Sequence, residues 1–598
     1  MSRAKRTART SPSPAIGPAS ARWRISYVVI AIAFVCYVYP QHSWKQYRNV
    51  NEQARLYLLK AVVEEGVLNI DTGIKNYGNV QDRAMRDGHS YCDKPVGLSA
   101  MAVPVYAVLH SVGRLFGYDW TIQRMRFALT IFCVTLPTVL LLFLLDRYWK
   151  SLGAPEWLVG LGLLAYGLGS IAFTYSTQFV GHQLAAVLAF AHFFLSRRFV
   201  GRVHWTKLML AGALAGLGAI TDYFSAFIHL AIIMSYITRI RPFTAWVPFL
   251  AGGILAFSPL PLYNLLAFGA VTKMSYAQEA LPVFQTQHGT GFFGVTFPRP
   301  ESIFGLLISP TQGLFFFSPF LLLGLVGVME LVRNRETKRE GIVIASSIVV
   351  VAWLALSVLN WRAGWTVGPR HMVSMLPFLV TGVVEAVRRN APLIGSLIVT
   401  VVLSVFLVFV PTMTLPAFDV NFAHPFTTQA LFLVGQGLVS PNLGHMIGLS
   451  GSWSLLIPAV LILTGITCVL LYMFRSGVRI DFVSIALPVI ALAIGGWLLS
   501  GRNGPTESED MYYQARTLKL VDRPQLAGFW FEHAVEHSAD PNVRRKVADR
   551  AYPEAVAIYG PLSDFASLHR IAERWASIDP ESPKLRELRE VLTSRDIQ

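Results

Sequence analysis

Two short runs carry residue types that can act together on a hydroxyl and a phosphate. One is Asn51-Glu52-Gln53-Ala54-Arg55; the other is Tyr91-Cys92-Asp93-Lys94-Pro95-Val96-Gly97. Both fall in one polar stretch, residues 42–121, of a chain that is otherwise apolar segments and short connectors. A carboxylate at the start of a helix, Glu52, can take the proton of an attacking hydroxyl, and cations in the same stretch can hold a phosphate. Asp93 can orient Lys94 or ligate a metal. The plainer readings are that Glu52 complements a helix dipole or pairs with Arg55, and that Lys94-Pro95 is a solvated turn.

The elements that position these residues are set by composition. The chain has 598 residues, 53% hydrophobic and 14% charged, which excludes an ordinary soluble globular protein. At roughly 20 apolar residues per crossing, about 13 spans are expected, at 25–41, 123–145, 156–174, 183–196, 206–221, 223–238, 244–267, 313–332, 341–360, 372–387, 392–412, 452–474 and 481–500. Residues 51–65 read as a short amphipathic helix that Asn51 can cap. Residues 95–116 are apolar enough to imitate a span, but counting them as one would place the basic clusters outside. They are therefore read as an interfacial or re-entrant helix on the outer face, interrupted at Pro104.

The net charge of +16 follows membrane sidedness. With the N-terminus cytoplasmic, the inner connections hold Arg147/Lys150, Arg197/Arg198/Arg202/Lys207, Arg239/Arg241, Arg333/Arg335/Lys338/Arg339, Arg388/Arg389 and Arg475/Arg479. The outer stretches 175–182 and 413–451 hold no Lys or Arg, and this asymmetry sets the orientation. The basic excess anchors a membrane protein, and no nucleic-acid partner is implied. The first outer loop departs from the pattern with Lys45, Arg48, Arg55, Lys60, Lys75, Arg83, Arg86, Lys94 and Arg114. Either these cations serve an anionic ligand or lipid head group, or a long loop crosses whatever its charge. Residues 1–24 read as a disordered basic cytoplasmic tail, and 501–598 as a small extracytoplasmic helical domain broken at Pro524, Pro541, Pro553, Pro561 and Pro580. Cys36, Cys92, Cys133 and Cys468 imply no disulfide framework.

From residue 25 to about 240, this order of elements resembles the GT-C membrane glycosyltransferases, in particular the aminoarabinose transferases and protein mannosyltransferases. The matching residues are Asn51-Glu52 and Tyr91-Cys92-Asp93-Lys94-Pro95, with Gly368-Pro369-Arg370-His371 a weaker match. The resemblance implies an all-α polytopic fold and transfer of a sugar from a polyprenyl-phosphate donor. The acceptor, a lipid, glycan or protein on the extracytoplasmic face of the cell (inner) membrane, is left open. It implies Lys94, with Arg55, Tyr91 and Arg370, as donor and phosphate ligands, Glu52 and Asp93 as the catalytic acids, and a divalent metal cation as a candidate cofactor. Asn51 stands where the family commonly has Asp and cannot be a base, so the role falls to Glu52 or to another acid, Asp82 or Asp87. Where the family often has an acid after the third span, this chain reads Ser176-Thr177-Gln178-Phe179-Val180-Gly181-His182-Gln183, and His182 can stand in as a ligand or phosphate hydrogen-bonder.

Asp222, at the tip of the 206–238 hairpin, is either a functional acid near membrane depth or a solvated turn residue. Arg370 follows Trp361-Arg362-Ala363-Gly364-Trp365, and its guanidinium fork suits phosphate while the tryptophans suit an interface or a sugar face. Gly291–Gly294 and Ser309–Gly313 read as a flexible outer loop that can close over substrate. A transporter or flippase would instead place its polar groups near the bilayer midplane, where this sequence has few. An envelope-assembly scaffold would leave the Glu52/Lys94 loop unused.

Overall fold

A computed structural model describes residues 24–42, 49–199, 202–422, 424–500 and 507–596. The expected N-terminal tail, together with Lys45 and Arg48, lies outside the described residues. The chain is a mostly helical membrane protein. Among the described residues, seven helices are long and apolar enough to cross a bilayer: Gly97–Leu115, Ile122–Ser151, Phe243–Phe268, Lys338–Ser357, Arg370–Arg389, Ala391–Met413 and Gly451–Arg475. Shorter apolar helices include Ile25–Val38, Gly181–Ser196, Trp205–Thr221 and Ser225–Arg239. Length alone therefore supports six of the 13 or so expected crossings, the seventh long helix being Gly97–Leu115, which is not counted among them. Two of the others are visibly broken. The run at 156–174 is helical over Glu156–Gly167 and resumes only as Ala172–Ser176, and the run at 313–332 breaks at Ser318-Pro319, leaving Leu322–Arg333. A proline without its N–H cannot continue the preceding helix.

The helix Arg370–Arg389 is the hub, with 89% of it enclosed by its neighbours. Close approach on one side depends on glycines: a Cβ on Gly327 would lie 1.7 Å from the Gly382 carbonyl oxygen. At its far end Glu385, fully buried, receives Arg388 Nε at 2.7 Å and also pairs with Arg389.

The polar first loop is folded as tightly as the bundle. Helix Val50–Lys60 is capped by Asn49, whose side chain accepts from the Asn51 N–H at 3.0 Å, so the cap lies two residues earlier than expected. Strands β1 (Ala84–Arg86) and β2 (His89–Tyr91) form an antiparallel hairpin, which corrects the all-α reading. Asp87 and Gly88, both at positive φ, make its two-residue turn, as Asp-Gly does in type I′ hairpins. The Asp87 side chain is 78% exposed at that tip and pairs with Arg86. Helix Gly97–Leu115 runs unbroken through Pro104, correcting the expected interruption. Leu98, Ala102 and Tyr106, one turn apart, are buried, while Val108, Val112 and Leu115 are exposed. This helix is also long enough to cross, so parity decides sidedness. Reporter fusions at residues 335 and 520 are expected to report opposite faces, from the Lys/Arg asymmetry. Residue 335 outside and residue 520 inside would make Gly97–Leu115 a true span.

The tail forms helices Glu507–Leu520, Pro524–Glu536, Pro541–Tyr559, Phe565–Ile578 and Pro583–Asp596 around Phe531, Tyr552, Leu568, Ile571 and Trp575. Prolines open three of these helices, but Pro553 lies inside one and does not break it as expected. The tail docks on the membrane domain through Trp530 against Phe432, with ring centroids 4.9 Å apart, and through Arg516 with Asp419 at 3.4 Å.

Candidate active site

Helix Val50–Lys60 turns Glu52 and Arg55 to different partners. Glu52 is buried, accepts from the Phe179 N–H at 2.7 Å and lies 3.4 Å from Arg126. It staples the first loop to the segment before His182, with both carboxylate oxygens engaged. The expected Glu52–Arg55 pair does not form. Arg55, only 2% exposed, donates through Nη1 to the Asn51 carbonyl at 2.9 Å and the Asn51 side-chain oxygen at 2.5 Å. Its Nε is buried and without a hydrogen-bond partner. Burial draws its pKa down, with Cys92, Tyr276 and Asp93 opposing and Arg370 adding to the effect.

Arg370 opens the hub helix beside this cluster, within electrostatic reach of Arg55, Asp82 and His182. Its Nε is also buried and unpartnered. Neither guanidinium has an ion pair among the described residues. Arg55 is buried and Arg370 half-buried, with Asp93 and Asp82 near enough to feel their charges but not paired with them; guanidinium N–H groups left dry are costly unless a ligand takes them.

Lys94 is differently placed. Its Nζ lies 2.6 Å from Asp93 Oδ2 and 2.9 Å from Asp82 Oδ2. Burial pushes the ammonium pKa down, but the charges of Asp93 and Asp82 more than reverse this, so the net shift is upward. Burial likewise pushes Asp82 up, and Lys94 brings it below its ordinary value. The lysine expected to hold a phosphate is thus already neutralised by two carboxylates. Tyr91, expected beside it, packs its ring against Phe268 at 5.6 Å. The remaining wall comes from a segment the sequence reading passed over. Ala280 N–H donates to the Arg83 carbonyl at 2.9 Å and Glu279 bridges to Ala84, so the 275–280 segment pairs with the hairpin. This carries Glu279 to Asp93 and Asp82, and Tyr276 to within 4.7 Å of His288, centroid to centroid. The only hint in the sequence was an isolated Glu in a connector otherwise free of acids.

Glu279 is pushed up to about 9, first by burial and then by the charge of Asp93. A carboxyl raised this way holds a proton in the folded state that the unfolded chain has lost, so its contribution falls as pH rises from about 4.5 towards 9. Glu279→Gln, which mimics the protonated form, is expected to unfold at a higher temperature than the parent at pH 8 and at nearly the same temperature at pH 4.5. Parallel melting curves at both pH values would show that Glu279 is not protonated in place. The acids here do not fit a divalent metal: the Lys94 ammonium already sits between Asp82 and Asp93. Among the described residues no group of three or more His, Cys, Asp or Glu is arranged to hold one.

His182 and Asp222, which the sequence left as separate candidates, meet. His182 Nδ1 lies 2.8 Å from Asp222 Oδ2, and Asp222 Oδ1 accepts from the Phe224 N–H at 3.0 Å. Asp222 caps the turn between Trp205–Thr221 and Ser225–Ser235 and is buried. Burial raises its carboxyl, but His182, His371 and the Phe224 N–H together hold it below the ordinary range. The His182 ring is set edge-on by Tyr175 at 5.9 Å and His371 at 5.5 Å, and its side chain keeps 15% exposure. With the Nδ1 proton given to Asp222, Nε2 is the basic nitrogen, which is how a carboxylate orients a general-base histidine.

Neither the flexible 291–294 loop nor the 309–313 loop is free. Phe292 bridges to Val295 and Val295 to Val358, and the Gly313 N–H donates to the Ser309 carbonyl at 2.7 Å. Both are closed turns.

No protein-family model matches the chain, and no curated protein sequence matches it. Among solved structures, the chain is similar to the crystal structure of ArnT from Cupriavidus metallidurans in the apo state. That similarity has 13% sequence identity and a TM-score of 0.41, and covers 86% of this chain and 80% of that one.

Proposed function

We propose that the chain is an integral-membrane glycosyltransferase of the GT-C type, moving a sugar from a polyprenyl-phosphate donor to a lipid, glycan or protein acceptor on the extracytoplasmic face. The observation that carries this reading is the buried Arg55 and the half-buried Arg370, each with a buried, unpartnered Nε and no ion pair among the described residues, beside a His182–Asp222 dyad. Transfer from a lipid phosphate needs a base for the acceptor and cations for the leaving group. His182 Nε2 takes the acceptor hydroxyl proton, the hydroxyl oxygen bonds to the anomeric carbon, and the bond from that carbon to the phosphate oxygen breaks. Arg55 and Arg370 receive the charge that collects on the departing polyprenyl phosphate. Lys94, Asp82 and Asp93 fix the wall of the site, and Glu52 fixes the loop that presents His182. No metal enters these steps.

The rival reading is a lipid-linked-sugar flippase. It draws on one observation, the buried contact between His192 and His229, whose Nδ1 atoms are 3.0 Å apart between two apolar helices. The two separate by chemistry. Full-length protein in nanodiscs, given polyprenyl-phosphate sugars extracted from the source membrane, is expected to release free polyprenyl phosphate, seen by mass spectrometry. Redistribution of intact donor between leaflets without bond cleavage would replace the transferase with the flippase.

A further inference from the structure

The tail is built twice on one plan. Ala515, Leu518, Ala527, Phe531 and Ala534 of its first hairpin (Glu507–Leu520 and Pro524–Glu536) recur at identical spacing as Val556, Tyr559, Leu568, Ala572 and Trp575 of its second (Pro541–Tyr559 and Phe565–Ile578). All of them are buried except Val556, which packs partly buried against the same core. Helical hairpins that share a core pattern stack, each burying an apolar face against its neighbour, and here each helix packs on the next. A stack this short needs both ends covered. The last helix, Pro583–Asp596, supplies Leu585, Leu588 and Leu592 at one end, and Leu415, Leu433 and Leu438 of the membrane domain join the core at the other.

Stacking sets the first helices of the two hairpins beside one another and leaves them a shared face turned away from the core. Tyr512, Arg516 and Lys519 lie a turn apart along one helix, and Lys546, Arg550 and Glu554 along the other. The two stripes meet: Lys519 Nζ lies 2.8 Å from Glu554 Oε2, and Tyr512 is within electrostatic reach of Arg550 and Glu554. Together they hold four cations and one carboxylate, and Lys519, Lys546 and Arg550 are exposed. The near edge already shows what such a face accepts. A loop of the membrane domain lays Asp419 against Arg516 at 3.4 Å and Phe422 against Tyr513, with ring centroids 5.4 Å apart. Beyond that loop the face stays open over Lys519, Arg550 and Lys546. From Lys546 to Glu554 the second stripe runs about 12 Å, the length of about four residues of extended chain.

We propose that this face binds an extended peptide segment bearing carboxylates, so that the tail recruits a partner protein to the membrane domain on which it is docked. Lys519, Lys546 and Arg550 take the acids, and Tyr512 packs on the chain between them. Single exposed ion pairs contribute little, so several cations in line and an aromatic anchor are what make such a face selective. Binding of this kind does not depend on the transferase chemistry above.

The test uses the full-length protein in phosphatidylcholine nanodiscs and a phage-displayed library of random linear peptides, with empty nanodiscs as background. Enriched peptides are expected to be rich in Asp and Glu. A synthetic copy of the most enriched is expected to bind the parent in fluorescence anisotropy, more weakly as salt is raised. Its affinity is expected to fall about tenfold in the double variant Lys546→Glu/Arg550→Glu. Both residues are exposed, so the double variant is expected to keep the parent's melting temperature, and Arg589→Glu on the last helix is expected to keep the affinity. Should the double reversal lower the melting temperature, Arg550→Gln, which removes one charge, is expected to keep the fold and lose affinity about threefold. No enrichment over empty nanodiscs overturns the proposal, as do enriched peptides without an excess of acids or peptides that bind the double variant equally well. Phosphatidylglycerol vesicles held by the parent and released by the same variant, with no peptide enriched, would give the face to a lipid surface and also overturn it.

Discussion

Arg370→Ala is expected to weaken binding of a polyprenyl-phosphate sugar by about 2–5 kcal/mol, roughly 30- to 4,000-fold, with little change in melting temperature. Among the described residues Arg370 has no ion pair to lose, and Asp82, which feels its charge, keeps Lys94 as its partner, so removal of Arg370 empties the site with little effect on the fold. Lys94→Ala is expected to behave in the opposite way. Its ammonium lies between Asp93 and Asp82, and losing it leaves two carboxylates facing each other in a buried place beside Glu279. Breaking one side of a buried pair costs about 3–5 kcal/mol of stability. The double measurement of donor affinity and thermal midpoint on both variants separates the two roles. If Arg370→Ala bound the donor normally and Lys94→Ala lost affinity at unchanged stability, the phosphate would belong to Lys94 and the guanidinium pair would have another ligand.

The second large effect concerns the base. His182→Gln is expected to slow transfer by roughly 10²–10⁴-fold while the donor still binds, the usual contribution of a positioned general base. Asp222→Asn should lose most of the same factor, because an amide can donate to Nδ1 and so hold the ring in the tautomer that puts its proton on Nε2. Glu52→Gln serves as the comparison. Its carboxylate takes the Phe179 N–H and faces Arg126, so the amide variant should lower the melting temperature more than it lowers the rate constant at saturating substrate. A dead Glu52→Gln with the parent's stability, next to an active His182→Gln, would return the base to Glu52 and leave the dyad a structural contact.

Some of this was legible in the residues themselves. Long apolar runs force helices across a bilayer because an unpaired backbone group in hydrocarbon is too costly, so composition alone determined a helical membrane protein. The concentration of Asp, Glu, Lys and Arg in residues 42–121 located the polar face, and the tip of the 206–238 hairpin located Asp222. Element lengths were less legible. Pro104 and Pro553 were read as breaks and are accommodated inside helices, whereas Pro319 does break its run; neighbours able to take up the freed backbone carbonyl make that difference, and they are distant in sequence.

Which ionisable groups are paired, and which are free, was settled only by the tertiary structure. Lys94 reads as an open cation beside one acid, but Asp82, brought over by the hairpin, closes it. Arg55 reads as the partner of Glu52, but the turn before His182 takes Glu52 and leaves Arg55 bonded to Asn51, within electrostatic reach of Arg370. His182 and Asp222 lie 40 residues apart and become a dyad because Gly181–Ser196 and Trp205–Thr221 pack side by side. Glu279 gave almost no local signal, since its raised proton affinity is a property of the acids it is buried against. Residue type determines what chemistry is available. Burial and pairing decide which of it is used, because the energy of a charge depends on the water removed from it and on the partner supplied in return.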